Sequence, residues 1–165
     1  MSDYLQTGRD GAAVYEHILS VILEHGQEIA GKVHSVSRFT TKYGDVPAIL
    51  FQPGEVSHTL SDEDIARLCA ERSKPFPEGV TPNLGMIGIG TILADRLAPV
   101  RAGDILYVKR VDDAYSEEYA TDYPVFTVMI DDGRGMVPAQ NMGDRPLNVN
   151  VQLKMDVPDH DEKPF

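Results

Sequence analysis

The chain has 165 residues, of which 42% are hydrophobic and 25% are charged, a composition typical of a single globular domain. It contains 15 basic and 26 acidic residues, which leave a net charge of −11 at pH 7. A field of that sign repels phosphate backbones and anionic lipids, so it argues against binding to nucleic acid or to a membrane surface. It also opposes an anionic substrate, which would need a local basic patch.

The cysteine content and the N-terminus bear on localisation. Cys69 is the single cysteine, and a chain with no internal disulfide is typical of a reducing compartment. The first ten residues, MSDYLQTGRD, lack the basic segment and apolar core of a signal peptide. The longest uncharged run, residues 79–94, is too short to span a bilayer. We therefore expect a cytoplasmic protein.

Two segments have the pattern of an amphipathic helix. The first follows a potential N-cap at Asp10 and ends near Gly26, because its apolar residues recur every three or four positions. These residues are Val14, Ile18, Val21 and Ile22. The second begins after Ser61, has acidic residues at 62–64 in its first turn, and runs to about Arg72. Its buried stripe consists of Ile65, Leu68 and Cys69.

The rest of the sequence predicts strands. Residues 32–41 and 46–52 flank a turn and predict a hairpin. From Leu84 onward the chain is predicted as β, and the alternating residues 147–157 predict the last strand. We therefore predict an α+β fold, with an antiparallel β-sheet of about five to seven strands packed with two helices. The single domain is expected over residues 1–157, followed by a disordered acidic tail at residues 158–165.

One segment of the sequence, residues 97–137, contains the turn Pro-Val-Arg-Ala-Gly-Asp followed by two apolar runs. It resembles the hotdog-fold acyl-thioester enzymes, especially the MaoC-like hydratases and dehydratases. Members of that family often have a Pro-Val-Arg-Pro-Gly-Asp turn before a long antiparallel hairpin. The matching residues here are Pro99, Val100, Arg101, Gly103 and Asp104, with Ala102 at the proline position and Gly135 at the later turn.

The physical chemistry of this turn agrees with its expected place in the fold. Gly103 can adopt a positive φ, and Asp104 can accept backbone hydrogen bonds where the next strand begins. Similar glycine–aspartate turns also occur in unrelated β-barrels.

The resemblance implies a hotdog-like homo-oligomer, most simply a dimer, that handles an acyl thioester of coenzyme A or a carrier protein. Its expected reactions are hydration or dehydration of an enoyl thioester, a lyase reaction, or thioester hydrolysis. Both need a general base and an N–H group that polarises the thioester carbonyl. A family hydratase has an Asp and a His about five residues apart, but residues 69–85 contain no histidine. The resemblance therefore also allows a thioesterase-like relative, a catalytically silent subunit or a binding protein.

His58 is the single residue that we predict as a candidate catalytic base. Acidic residues surround it in the sequence GEVSHTLSDED, and an imidazole is the side chain most often used for acid–base chemistry near neutral pH. It lies in a predicted loop between a strand and a helix, where functional groups concentrate. The alternative interpretation is an ordinary loop residue that precedes a helix cap.

The remaining motifs predict structure, and we expect no metal and no cofactor. His17 and His25 are wider apart on the first predicted helix than the usual helical metal ligands. The glycines of residues 85–90 lack nucleotide-loop spacing, and the segment after them has strand signals. The aspartate pairs at 112–113 and 131–132 are assigned to hairpin turns, and calcium would need more ligands.

A second hypothesis is non-enzymatic. The scarcity of catalytic motifs and the acidic composition also fit an assembly or adaptor protein, such as a phage protein or a subunit of a complex. This hypothesis accounts directly for the missing hydratase pair.

Overall fold

The computed structural model describes residues 17–41, 44–71, 76–77, 79–143 and 149–151, and they form an α+β fold. Seven strands make one sheet: β1 Ile18–Ser20, β2 Glu28–Thr41, β3 Gly44–His58, β4 Asn83–Ile87, β5 Ile105–Ser116, β6 Thr121–Asp131 and β7 Met136–Pro138. Within these ranges there are two α-helices, α1 Asp62–Ala70 and α2 Thr91–Leu97. The predicted α+β class and strand number are confirmed, and two helices are present in the described ranges, although only α1 lies where the sequence predicted a helix. The predicted tail lies outside the described residues.

The sheet is mixed, with the strand order β1-β4-β3-β2-β5-β6-β7. Five neighbouring pairs are antiparallel, and β1 pairs with β4 in parallel. The edge strand β1 is bonded to β4 at both ends: the Asn83 N–H donates to the His17 carbonyl at 3.0 Å, and the Val21 N–H donates to the Gly85 carbonyl at 2.8 Å. The sequence predicted an antiparallel sheet, and the parallel β1–β4 pair corrects that prediction at this edge.

The predicted hairpin of residues 32–41 and 46–52 is present as β2 and β3, which are longer than predicted. Their register shifts twice between Gly31 and Ser35, and the start of β2 pairs with β3 on one side and with β5 on the other. Gly31 is required there, because a Cβ atom at this position would lie 2.5 Å from the Glu55 carbonyl oxygen. β2 therefore lies between β3 and β5 and joins the strands β1, β4 and β3 to the strands β5, β6 and β7.

The main core lies on one face of the sheet. Its largest fully buried side chains include Phe51, Leu19, Ile29, Ile49 and Leu106. On the β5–β6 hairpin the core-facing positions are Leu106, Val108, Val128 and Ile130, all at most 3% exposed. This strict alternation continues along β5 to the next core-facing position, where the sequence places Arg110.

The first predicted helix is wrong over the part of the chain that the structure describes. Residues 17–24 form β1 and an irregular segment, His25 lies in a turn, and β2 already begins at Glu28. The apolar run ILSVIL fits a short strand as well as a helix, and pairing with β4 decides between them. The chain enters this strand with His17 at a φ of 52°, in the left-handed region. Residues 10–16 of the predicted helix lie outside the described residues.

A second correction concerns the segment after β4, where the sequence predicted further strand. Gly90, at a φ of 92°, precedes helix α2, and the helix buries Leu93 and Leu97 against the core. The turn of residues 99–104 therefore joins a helix to β5 and does not join two strands. Its expected local chemistry is present, since Gly103 has a φ of 92° and the Asp104 Oδ2 accepts from the Arg101 N–H at 2.9 Å.

Helix α1 matches its prediction. The Ser61 Oγ accepts from the Asp64 N–H at 3.1 Å, and the Asp64 Oδ2 accepts from the Ser61 N–H at 3.0 Å. These two bonds form a capping box. Leu68 is buried in the main core, and Cys69 packs half-buried beside it.

The other predicted turns and the last strand have mixed outcomes. Residues 131–135 form the β6–β7 turn as predicted, with the Asp131 Oδ1 accepting from two glycine N–H groups. Asp112 and Asp113 lie within β5, so their assignment to a turn is wrong. Of the predicted strand 147–157, residues 149–151 are described and lie outside any strand. Asn150 nevertheless docks on β2, where its Oδ1 accepts from the Val36 N–H at 2.6 Å.

Candidate binding pocket

A pocket of about 290 Å³ opens beside the core. Four parts of the chain surround it: the segment that follows β1, the end of β4, helix α2 and the outer half of the β5–β6 hairpin. The volume is close to the lower end of small-molecule sites, roughly 300–1,000 Å³. This is the candidate functional site.

The floor of the pocket is aliphatic. Its side chains are Val21, Leu23, Met86, Ile87, Ile89 and Leu93. Four of them belong to the main core cluster and are therefore held by packing on their far side. Ile22, which is 37% exposed, extends the apolar surface to the edge of the opening.

Arg110 closes one side of the pocket. Its Nη1 donates to the Leu23 carbonyl at 3.2 Å, and its Nη2 donates to the Asp113 Oδ1 at 3.1 Å. Its Nε is buried and has no acceptor among the described residues. A guanidinium on the core-facing side of a strand is thus held by one backbone carbonyl and one carboxylate.

A β-bulge brings Asp113 to the same face as Arg110. Arg110 pairs with Phe126 and Asp113 pairs with Pro124, so two residues of β5 oppose one residue of β6 between these pairs. The extra residue reverses the alternation of β5. Asp113 therefore lines the pocket, whereas its neighbour Asp112 points elsewhere and bonds to His25 at 3.0 Å.

A second carboxylate stands at the mouth. Asp122 lies opposite Tyr115 in the β5–β6 register, one step beyond the Asp113–Pro124 pair. Residues diagonally opposite on one face of a hairpin have Cα atoms about 7–8 Å apart. The Asp122 side chain is exposed, and its carboxylate has no hydrogen-bond or ion-pair partner in the described ranges. The mouth thus combines one guanidinium with two carboxylates.

The structure does not place His58, the predicted catalytic base, in this pocket. His58 is the last residue of β3, opposite Ile29, and it is exposed. The other described histidines also lie outside the lining: His25 contacts Asp112, the His17 ring packs edge-on to Phe76 at 5.9 Å, and the His34 ring is bonded to Ser35. The role assigned to His58 stays a prediction.

Sequence reasoning missed the polar residues of the pocket. One signal was available. Arg110 follows Leu106 and Val108 at the core-facing spacing of β5, and this spacing predicts a charged side chain at the edge of the core. The place of Asp113 depends on the bulge, for which the sequence has no local signal. Asp122 can be identified as a pocket residue only once the pairing of β6 with β5 is known.

Among the described residues, no three His, Cys, Asp or Glu side chains are grouped in a way that could hold a metal ion. No helix in the described ranges is long and apolar enough to cross a membrane. Comparison with protein-family models, curated proteins and solved structures finds no significant match to this chain.

Proposed function

We propose that this protein binds a small ligand with an apolar body in the pocket beside Arg110. The observation that supports this proposal most strongly is the aliphatic floor, a concave apolar surface with a few polar groups gathered at its opening. That combination is the usual form of a small-molecule site. Because the floor is part of the packed core, the pocket is formed before the ligand arrives, which reduces the ordering cost of binding.

The acyl-thioester hypothesis is a special case of this proposal. An acyl chain would lie on the floor between Met86 and Leu93, and the hotdog-like fold, the homo-oligomer and the thioester reaction remain proposals with it. Coenzyme A brings several phosphate charges, which would meet Asp113 and Asp122 at the mouth. Arg110 is already bonded to Asp113. We therefore rank thioesters, whether of coenzyme A or of a carrier protein, below uncharged ligands with the same chain.

The adaptor hypothesis has its own supporting observation. Tyr115 and Tyr119 are 62% and 48% exposed on the β5–β6 hairpin, and exposed tyrosines are enriched in protein interfaces. An assembly or adaptor role in the cytoplasm is compatible with ligand binding, because the hairpin tip and the pocket floor are different surfaces.

Methyl NMR with 1-octanol tests the proposed function. Met86 lies in the floor, whereas Met129 lies on the opposite side of β6 from the core-facing Val128 and Ile130. In protein labelled at the methionine methyl groups, we expect 1-octanol to shift the Met86 resonance in a saturable manner and to leave Met129 unmoved. Octanoyl-coenzyme A and free coenzyme A in parallel titrations test the thioester special case.

A matched pair of variants shows whether the binding occurs in the pocket. Ile22 and Ile105 are both 37% exposed, but Ile22 lines the pocket and Ile105 lies elsewhere on the sheet. We expect Ile22→Ser to weaken 1-octanol binding several-fold because it removes apolar contact area. Ile105→Ser should leave it unchanged. An absent Met86 shift, or equal effects of the two substitutions, would contradict the proposal.

A further inference from the structure

We infer that the pocket selects ligands with a cationic head group, so that an ammonium-bearing molecule with an apolar chain binds more tightly than its neutral or anionic counterpart. This inference rests on the proposed function and specifies the class of ligand.

The charge at the mouth of the pocket favours a cation. Arg110 and Asp113 form an ion pair with distances of 3.1 and 3.4 Å from the Nη2 to the two carboxylate oxygens. That pair neutralises most of the field of the guanidinium at the opening. Asp122 then contributes a negative charge with no cation bonded to it among the described residues, so the mouth is negative overall.

That charge lies where the head group of a bound ligand would be. A ligand with its chain on the floor has its head group at the opening, between the strand positions of Asp113 and Asp122. The bulge makes this arrangement possible, because without it Asp113 would face away from Asp122. An ammonium group there gains attraction to Asp122, whereas a carboxylate is repelled.

An aromatic residue lies opposite the carboxylate on the neighbouring strand. Tyr115 lies directly opposite Asp122, and directly opposed residues have Cβ atoms about 4.5–5.5 Å apart. Its ring is largely exposed, and a cation near the face of an aromatic ring is attracted by the ring quadrupole. The net charge of −11 adds a long-range field of the same sign, which favours the approach of cations.

Three probes with the same chain test this inference: octylammonium, 1-octanol and octanoate, each titrated against the Met86 methyl resonance. We expect octylammonium to bind most tightly and octanoate most weakly. The advantage of octylammonium should shrink with added salt, since exposed charges are screened. If none of the three shifts Met86, both the proposed function and this inference fail. If 1-octanol binds but octylammonium has no advantage over it, the inference fails while the proposed function stands.

A charge-matched pair of variants locates the effect. Asp122→Asn removes the unpaired carboxylate at the mouth, and Glu118→Gln removes one negative charge from the turn beyond it. We expect Asp122→Asn to weaken octylammonium binding about two- to fivefold, as for a single exposed ion pair, and to weaken it more than 1-octanol binding. Glu118→Gln should have little effect on either probe. Equal losses in the two variants would assign the preference to the overall charge and overturn the inference.

Discussion

Asp104 and Val33 are bonded through their backbones, so that the turn before β5 is attached to the central strand β2. The Val33 N–H donates to the Asp104 carbonyl, and the Val33 carbonyl accepts from the Gly103 N–H, both at 2.8 Å. The Asp104 side chain is turned back into its own turn, where its Oδ2 accepts from the Arg101 N–H. A 5% exposed aspartate thus fixes the entry of the chain into β5.

The first prediction concerns this buried carboxylate. Asp104→Ala should lower the free energy of unfolding by about 1–3 kcal/mol, because the Arg101 N–H loses its acceptor. Asp104→Asn keeps an acceptor oxygen and should cost less. Urea denaturation of the two variants measures the difference. Equal losses would show that charge or packing at Asp104, and not its hydrogen bond to the turn, holds this part of the fold.

The second prediction concerns the close approach of β2 and β3 at Gly31. A Cβ atom there would meet the Glu55 carbonyl oxygen at 2.5 Å, and a backbone atom in the sheet cannot move aside cheaply. We expect Gly31→Ala to cost about 3 kcal/mol, the upper end of the range for overpacking.

Gly54→Ala is the comparison variant for Gly31→Ala. Gly54 has a φ of 81° with open space around it, so its substitution meets backbone strain without a clash and should cost about 1 kcal/mol. Urea denaturation of both variants checks the order. A smaller loss at Gly31 than at Gly54 would contradict the proposed clash.

The third prediction concerns the capping box of α1 and its pH dependence. The backbone and side-chain hydrogen bonds with Ser61 hold the pKa of Asp64 below its ordinary value of 3.8, with further help from Gln27 and Arg67. A carboxyl group whose pKa is lowered by folding stabilises the fold above its unfolded pKa. This stability is lost as the pH falls through the lower folded value.

The variants that test the capping box are Ser61→Ala and Asp64→Asn. At neutral pH we expect Ser61→Ala to cost about 1 kcal/mol, as for the loss of other N-caps. The difference in unfolding free energy between the wild type and Asp64→Asn should decrease as the pH drops below 3.8. Asp62→Asn, in the same helical turn but outside the box, is the control. An equal pH dependence for both asparagine variants would count against the capping box as its source.

The fold was predictable where local chemistry decides it. Ser61 with its acidic first turn predicts α1, and the alternating residues 32–41 with the apolar residues 46–52 predict the β2–β3 hairpin. The errors lie where distant contacts decide: β1 is a strand because β4 lies beside it, and α2 packs on the core through Leu93 and Leu97. Neither contact leaves a signal in neighbouring residues.

The pocket was less predictable than the fold, for the same reason. Its floor consists of core residues that resemble any other core residues in the sequence. Its polar mouth depends on the register of β5 against β6, since a single extra residue determines whether Asp112 or Asp113 faces inward. His58 stood out in the sequence because of its residue type and its acidic neighbours, but that prominence does not indicate which side chains meet in space.

The fourth prediction concerns the hydrogen bond between the Tyr107 hydroxyl and the Glu28 Oε2, at 2.5 Å. This bond, together with partial burial and the nearby negative charge, raises the pKa of Tyr107 above its ordinary value of 10.0. A group whose pKa is raised by folding contributes stability below its unfolded pKa. That contribution is lost as the pH rises through the folded value.

Tyr107→Phe should therefore weaken the dependence of stability on pH above 10.0 and remove a late step from the tyrosinate absorbance titration. Tyr115→Phe, which removes an exposed hydroxyl on the same strand, should leave that late step in place. A late step that survives Tyr107→Phe would show that the Glu28 bond does not perturb the phenol.

The last prediction concerns the cost of holding Arg110 at the edge of the core. Arg110→Met removes a buried Nε that has no acceptor among the described residues, but it also leaves the Leu23 carbonyl without its donor. These effects oppose each other, and the 39% exposed Asp113 side chain can remain hydrated. We therefore expect a change in unfolding free energy within about 1 kcal/mol, since replacing an ion pair by apolar contact is often neutral.

Arg110→Ala should be less stable than Arg110→Met, because it also loses the packing of the side-chain stem. Urea denaturation of both variants checks the order, and a loss of about 3–5 kcal/mol in Arg110→Met would mean that the ion pair with Asp113 is itself essential to the fold.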